Sequence, residues 1–320
     1  MRIDERRAAE LLRTWDNILI LTHRKPDGDA IGSSLALCYA LRSLGKTVGV
    51  ACADPMIVGR YREIFRDEPE RDFAPAYLVA VDTASIELLA GAHEPYGGAV
   101  SLCIDHHGSH AEFAADTLLD PVAAACAELV FRVIAELGAQ PDRDTANAVF
   151  TGLTTDTGGF RFPNTTSRTH RTAAEMLDWG ADSARINQLM FMTRSRGRIA
   201  VEKLMLDTMA FCADGRCAMN ILPADLNERF GVTEEELEGI SGFSNTIEGI
   251  LAGVTVREKK DDDSLRISVR TKDPLDAAAI CRALGGGGHR NAAGCTLYGD
   301  AQAAARRVLA EVEREIQDKL

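Results

Sequence analysis

Four short apolar runs, separated by helical and polar stretches, dominate the first half of the chain: NILILT (17–22), KTVGVAC (46–52), YLVAVD (77–82) and AVSLCID (99–105). Each has the length of a buried strand and none alternates cleanly with polar residues, so both faces of each must be covered. Between or after them, AIGSSLALCYALRSLG (30–45), ACAELVFRVIAELG (125–138) and DTANAVFTGLTTDTGG (144–159) carry a helical period, and the first two close on glycine. This pattern predicts an α/β domain with a parallel sheet and helices on both faces.

The second half reads differently. One long helical segment is expected from Ser183 to Cys212, connecting two domains, with its RSRGR stretch on a solvated face. Beyond it, RCAMNILP, ILAGVTVRE and SLRISVRT read as strands, with KKDDDS as a hairpin turn between the last two. A helix through PLDAAAICRALG, the glycine run GGGGH, a strand AAGCTLY and a terminal helix complete a smaller α/β domain. The expected organisation is residues 1–185, a helical linker at 186–212, and residues 213–320.

Composition narrows the function classes. A net charge of −12 argues against a binder of long duplex nucleic acid, which needs a basic surface. No apolar run reaches membrane-span length, and MRIDERRAAELLRTW reads as a charged amphipathic helix and not a secretory signal. Five of the eight cysteines (Cys38, Cys52, Cys103, Cys126, Cys281) sit in apolar runs, and no C-x-x-C pair occurs. Reduced, buried thiols in a cytoplasmic protein are the expectation, with no membrane partner.

Polar clusters mark the carboxyl ends of the predicted elements. LTHRKPDGDA supplies His23, Asp27 and Asp29; VAVDTAS supplies Asp82; CIDHHG supplies Asp105, His106 and His107; TTDTGGF supplies Asp156. In open α/β sheets these ends converge on one crevice. Five carboxylates and three imidazoles cannot share a crevice without counter-ions. Mixed histidine and aspartate donors suit Mn²⁺, Fe²⁺, Co²⁺ or Zn²⁺, with Mg²⁺ still open, and the donors suffice for two ions. Such a pair, about 3.5–4 Å apart, clamps a phosphorus centre for in-line attack.

The segments HRKPDGDAIGSS, VDTAS, DHHGSH and TGLTTDTGGFRF resemble, in order, the four motifs of the DHH phosphoesterase superfamily. GGGGHRNAAG resembles the glycine-rich motif of its DHHA1-type second domain. The resemblance implies a DHH catalytic domain, a helical linker and a DHHA1 substrate-binding domain, with the active site in the interdomain cleft. Within the superfamily the chain looks most like the nanoRNase/pAp-phosphatase group. That implies hydrolysis of short oligoribonucleotides and of 3′-phosphoadenosine 5′-phosphate (pAp) by an attacking hydroxide activated by two ions, most simply Mn²⁺. Position by position, His23, Asp27 and Asp82 are implied as ligands of one ion. Asp29, Asp82, His106 and Asp156 are implied for the other, with Asp82 shared. Asp105 then orients an imidazole, and His107 faces the substrate phosphate. Ser268, Arg270, Gly287, Gly288, His289 and, more weakly, Arg290 are implied as contacts to the far phosphate or base. Arg270 and His289 are thereby placed with His107 and Asp105 in the catalytic set.

Relatives often carry asparagine where this chain has His110, to which no metal role is given. Hydrolysis of cyclic di-AMP or pApA is the alternative within the family, and a homodimer is compatible with it. A pyrophosphatase sharing the first domain fits poorly with the glycine-rich tail. A non-catalytic nucleotide sensor is expected to lose ligands, and none of the expected ones is missing.

Overall fold

The apolar runs of the first half become strands of a parallel sheet, and three of those strands, Ile18–Leu21, Val48–Ala51 and Leu102–Asp105, are buried at every residue and need cover on both sides. In this computed structural model, residues 1–65, 72–140, 142–234, 236–237, 239–260 and 263–320 are described. The chain forms two compact units, Met1–Thr193 and Arg194–Leu320.

The first unit contains α1 (Glu5–Thr14), β1 (Ile18–Leu21), α2 (Gly28–Ser43), β2 (Val48–Ala51), β3 (Tyr77–Val81), β4 (Leu102–Asp105), β5 (Asp116–Leu119), α3 (Cys126–Leu137), α4 (Arg143–Asp156), α5 (Ser167–Asp178) and α6 (Ser183–Asn187). Its five strands run in the order β2-β1-β3-β4-β5, all parallel. Successive strand residues feed two clusters. Ile18, Ile20, Val79, Val81 and Ile104 pack with the apolar faces of α1 to α4. Leu19, Leu21, Leu78, Ala80 and Cys103 pack on the opposite side with Leu89 and Phe113.

Three helices approach closely at Gly152. A side chain at Gly152 on α4 would place a carbon 2.6 Å from Ala127 Cβ on α3 and 2.7 Å from Asp29 Oδ1 on α2. Only glycine permits that three-way contact, and it holds the first turn of α2 against the first turn of α3.

The second unit contains α7 (Arg196–Thr208), β6 (Ala210–Cys212), β7 (Cys217–Leu222), α8 (Leu226–Phe230), β8 (Ala252–Glu258), β9 (Ser264–Thr271), α9 (Ala277–Ala283), β10 (Gly287–His289), β11 (Ala292–Tyr298) and α10 (Ala301–Lys319). Its six strands lie in the order β10-β11-β9-β8-β7-β6, and only β7 and β8 pair in parallel. Val254, Val256, Ile267 and Val269 pack with Cys281 of α9 and with Val308 and Val312 of α10. β8 and β9 pair antiparallel, and of the KKDDDS segment between them Asp261 and Asp262, where the hairpin turn is expected, lie outside the described residues.

The expected single helix from Ser183 to Cys212 is not continuous. After α6 comes a π-helical turn, Gln188–Met192, and Thr193 is then extended. Ser195 caps α7 by accepting the Arg198 N–H, so part of RSRGR is a helix start and not a mid-helix face. Ala210–Cys212 leaves the helix altogether to form β6. Among the described residues no helix is long and apolar enough to cross a membrane.

Candidate active site

The polar residues of the first unit are set by the ends of its elements. His23 lies two residues beyond β1. Asp27 caps α2, its carboxylate accepting the N–H groups of Asp29 and Ala30 at 3.1 Å each. Asp29 sits in the first turn and is buried. Its oxygens accept the Cys126 and Ala127 N–H groups at the start of α3, at 2.6 and 2.9 Å, and the Ser33 hydroxyl at 3.0 Å. Asp82 follows β3 directly, in the left-handed region at φ 52°. Asp105 ends β4, and Asp156 ends α4.

These side chains converge. His106 Nε2 lies 3.5 Å from Asp82 Oδ1, 3.6 Å from Asp156 Oδ2 and 3.8 Å from Asp29 Oδ2. His23 Nε2 lies 3.7 Å from Asp82 Oδ2 and 4.0 Å from Asp27 Oδ1. Both rings have their other nitrogen against a backbone carbonyl: His23 Nδ1 reaches the Arg24 oxygen at 2.9 Å, and His106 Nδ1 the Ala123 oxygen at 3.2 Å. If those nitrogens donate, each Nε2 presents a lone pair to carboxylate oxygens. Lone pairs gathered at this spacing repel unless a cation or proton lies among them.

The electrostatics agree. Asp82 Oδ1 is buried with no hydrogen-bond partner among the described residues. Burial, followed by the charges of Asp29, Asp27, Asp156 and Asp105, pushes the Asp82 carboxyl well above its ordinary range. Burial also raises Asp29, although His106 opposes it. Asp156 is pushed up to about 8 by burial and then by Asp29 and Asp27. Among the described residues three trios offer ligand atoms within 4.8 Å of one another: His23–Asp27–Asp82, Asp29–His106–Asp156 and Asp82–His106–His107. An orphaned buried oxygen and a mixed imidazole–carboxylate donor set fit a divalent cation.

Asp105 has different surroundings. Its Oδ1 accepts from the His106 N–H at 2.8 Å, the His107 N–H at 3.3 Å and His107 Nδ1 at 2.7 Å. Its Oδ2 accepts from His110 Nδ1 at 2.6 Å. Burial works to raise Asp105, but the bonds from His107 and His110 outweigh it and hold the carboxyl below its ordinary value. The same bond raises His107. With Nδ1 committed to Asp105, His107 has Nε2 left for other contacts.

In the second unit, strand register aligns the remaining candidates. Arg270 on β9 pairs with Ala292 on β11, which pairs with His289 on β10. Two residues along, Ser268, Gly294 and Gly287 form the next row. Directly paired residues share a face, and so do positions two apart, so Ser268, Arg270 and His289 lie on one side of the sheet. The GGGGH run is thus partly an edge strand: a side chain at Gly288 would meet Ala293 Cα at 2.6 Å and Ala292 O at 2.7 Å. Burial, then the neighbouring Arg266, holds Arg270 below its ordinary value. Arg290 instead pairs with Asp273 at 3.2 Å, on the exposed surface.

Family comparison matches residues 17–153 to the DHH family, N-terminal domain, and residues 218–318 to the DHHA1 domain. This chain belongs to the DHH family. It is 38% identical to the bifunctional oligoribonuclease and PAP phosphatase NrnA of Thermus thermophilus, over 97% of this chain and 94% of that protein. The NrnA of Bacillus subtilis is 28% identical, over 95% of this chain and 97% of that one. The cyclic-di-AMP phosphodiesterase PdeA of Listeria monocytogenes is 25% identical over 90% of this chain, which spans 46% of PdeA. Among solved structures, an exopolyphosphatase-related protein from Bacteroides fragilis shares the fold with a TM-score of 0.84 at 24% identity, covering 98% of this chain and 97% of that one.

The DHH unit also holds polar residues that sequence reasoning passed over. Ser33 binds Asp29, and its position four residues further along α2 was a readable signal. Asn164 donates its amide to the Ala124 and Asp156 carbonyls, at 2.9 and 3.1 Å, which ties the loop before α3 to the end of α4. The His110 contact with Asp105 had no signal in the spacing.

Proposed function

We propose that this DHH-family chain is a divalent-metal phosphoesterase that hydrolyses short oligoribonucleotides and pAp. The observation that carries the reading is the cage of imidazole Nε2 atoms and carboxylates around the orphaned Asp82 Oδ1. The similarity to two proteins named oligoribonuclease and PAP phosphatase supports the substrate class.

In this reading His23, Asp27 and Asp82 hold one ion, and Asp29, Asp82, His106 and Asp156 hold a second. Manganese is the proposed metal, from the mixed nitrogen and oxygen donors. When bound, the ions supply activation of water for attack on phosphorus and neutralise charge developing on the phosphoryl oxygens. The chain's own residues do the rest. Asp29 is kept in place by two α3 N–H groups and Ser33, which fixes one wall of the cage. Asp105 fixes the His107 ring, whose Nε2 donates to a phosphate oxygen when protonated. Arg270, half-buried beside Arg266, forms a bidentate contact with a non-scissile phosphate, and Ser268 and His289 lie on the same sheet face. The proposed place of action is the cytoplasm.

A kinetic panel with Mn²⁺ tests the reading, using pAp, di- to pentaribonucleotides, pApA, cyclic di-AMP and pyrophosphate. Phosphate release from pAp and mononucleotide release from the short RNAs are expected. Turnover of pyrophosphate alone, or nucleotide binding without turnover, overturns the proposal. The similarity to PdeA favours a second reading, in which cyclic di-AMP or pApA is the better substrate, and the same panel separates the two.

A further inference from the structure

We infer that His110 is a positioning residue for His107, acting through Asp105 in a His107–Asp105–His110 chain of hydrogen bonds. The inference rests on the phosphoesterase reading for its kinetic consequence, but its geometry stands independently.

Asp105 is fully buried, and its two oxygens are loaded unequally. Oδ1 takes two backbone N–H groups and His107 Nδ1, whereas His110 Nδ1, at 2.6 Å, is the side chain on Oδ2. The His110 side chain is itself 0% exposed. A four-residue turn brings it there: the His110 N–H donates to the His107 carbonyl at 3.1 Å, and the Ala111 N–H to the Ala84 carbonyl at 2.8 Å. The ring packs against Phe113, with centroids 5.4 Å apart. Among the described residues His110 Nε2 has no hydrogen-bond partner and is buried, so the contact with Asp105 accounts for an imidazole at this place.

Without the His110 donor, Oδ2 becomes a buried acceptor facing apolar surroundings. The carboxylate then gains by rotating toward another donor, and that rotation loosens its grip on His107 Nδ1. His107 Nε2, the atom left for the substrate phosphate, loses its fixed direction. His110 need touch neither substrate nor ion to matter.

The test compares H110A, H110N and H110Q with the wild-type chain. An asparagine amide occupies the place of Nδ1 and restores the donor to Asp105, whereas a glutamine amide extends to the place of Nε2. With pAp and Mn²⁺, kcat/KM should fall roughly 10–100-fold in H110A and H110Q, the range for residues that orient a site from behind. H110N should recover most of it, with Mn²⁺ affinity and Tm close to wild type. Activity in H110A within a factor of about two of wild type, or equal activities in H110N and H110Q, overturns the inference. If H110A does not fold, the asparagine–glutamine comparison decides alone.

A second readout is independent of turnover. Low-field proton resonances should report the carboxylate-bound Nδ1–H groups of both His107 and His110. The His107 signal should persist in H110N and shift or broaden in H110Q. If it is unchanged in H110Q, the inference fails, even should the wild-type chain prove inert toward every phosphoester. Wild-type inertness, by contrast, counts against the functional reading and leaves the spectroscopic outcome to judge His110.

Discussion

His106 Nε2 sits 3.5 Å from Asp82 Oδ1, a buried oxygen with no hydrogen-bond partner among the described residues. The other Asp82 oxygen is 3.7 Å from His23 Nε2. One carboxylate therefore stands between two imidazoles from different loops, an arrangement that suits the proposed sharing of Asp82 by two ions. Replacing Asp82 with alanine should lower Mn²⁺-dependent turnover by well over the roughly 100-fold seen for residues that only support a ligand. The ion-free variant should be at least as stable as wild type, because a buried carboxylate among like charges is removed. Activity assays and thermal melts check both halves. A variant with half the wild-type rate contradicts the shared role.

Asp156 gives a pH signature. Its folded-state carboxyl titrates at about 8, against an ordinary 3.8. The folded chain thus keeps a proton that the unfolded chain releases. Its contribution to stability is complete below 3.8 and is lost as pH rises toward 8. For the ion-free protein, the Asp156 contribution should lower Tm between about pH 5 and pH 8.5, and the stabilisation by added Mn²⁺ should grow over the same interval. D156N should flatten both trends. Calorimetry across pH, with and without the ion, is the check.

Gly152 links packing to the site. A methyl at this position meets Ala127 Cβ and Asp29 Oδ1 at separations no carbon tolerates, 2.6 and 2.7 Å. G152A should cost about 1–3 kcal/mol of stability by overpacking. It should also weaken Mn²⁺ binding, because Asp29 is displaced from the α3 N–H groups that orient it. Urea unfolding and isothermal titration measure the two effects, and unchanged Mn²⁺ affinity refutes the link.

Arg270 is expected to act mainly on KM. R270A should lose about 1.5–3 kcal/mol in kcat/KM for pAp, the range for hydrogen bonds to a charged group. R270K should recover little, since an ammonium does not reproduce the planar fork. Full recovery with lysine points to simple charge attraction and not to a bidentate contact.

Chain length should matter. A surface carrying a net charge of −12 repels a long polyanion, while a short one presents few phosphates to it. Turnover should be higher for di- to pentaribonucleotides than for twenty-residue RNAs, read by gel or chromatography. Comparable rates argue against the length preference.

The strand ends were legible because they combine two strong signals, a buried apolar run and an abrupt acid or imidazole. β1, β3 and β4 end within a residue or two of His23, Asp82 and Asp105 for that reason. Alternation on extended chain predicts that His106 and His107 point apart, but their ring centroids lie 4.7 Å apart and both rings approach Asp82 Oδ1, at 3.5 and 3.8 Å, because the chain has left the strand after Asp105. Other features depend on partners distant in sequence. β5 is a four-residue DTLL segment, and β4 beside it is what makes it a strand. The break before α7 hides in a helical period that continues through it, and only the cap at Ser195 shows where the helix begins again. The ring of His110 turns inward because a four-residue turn and Phe113 place it there.

His23, Asp27, Asp29, Asp82, His106 and Asp156 are proposed to hold a pair of divalent ions. Anomalous diffraction at the manganese edge, from crystals equilibrated with Mn²⁺, tests it most directly. Two peaks about 3.5–4 Å apart, with Asp82 reaching both, are expected. A single peak that Asp82 does not touch, or none within this cage, contradicts it.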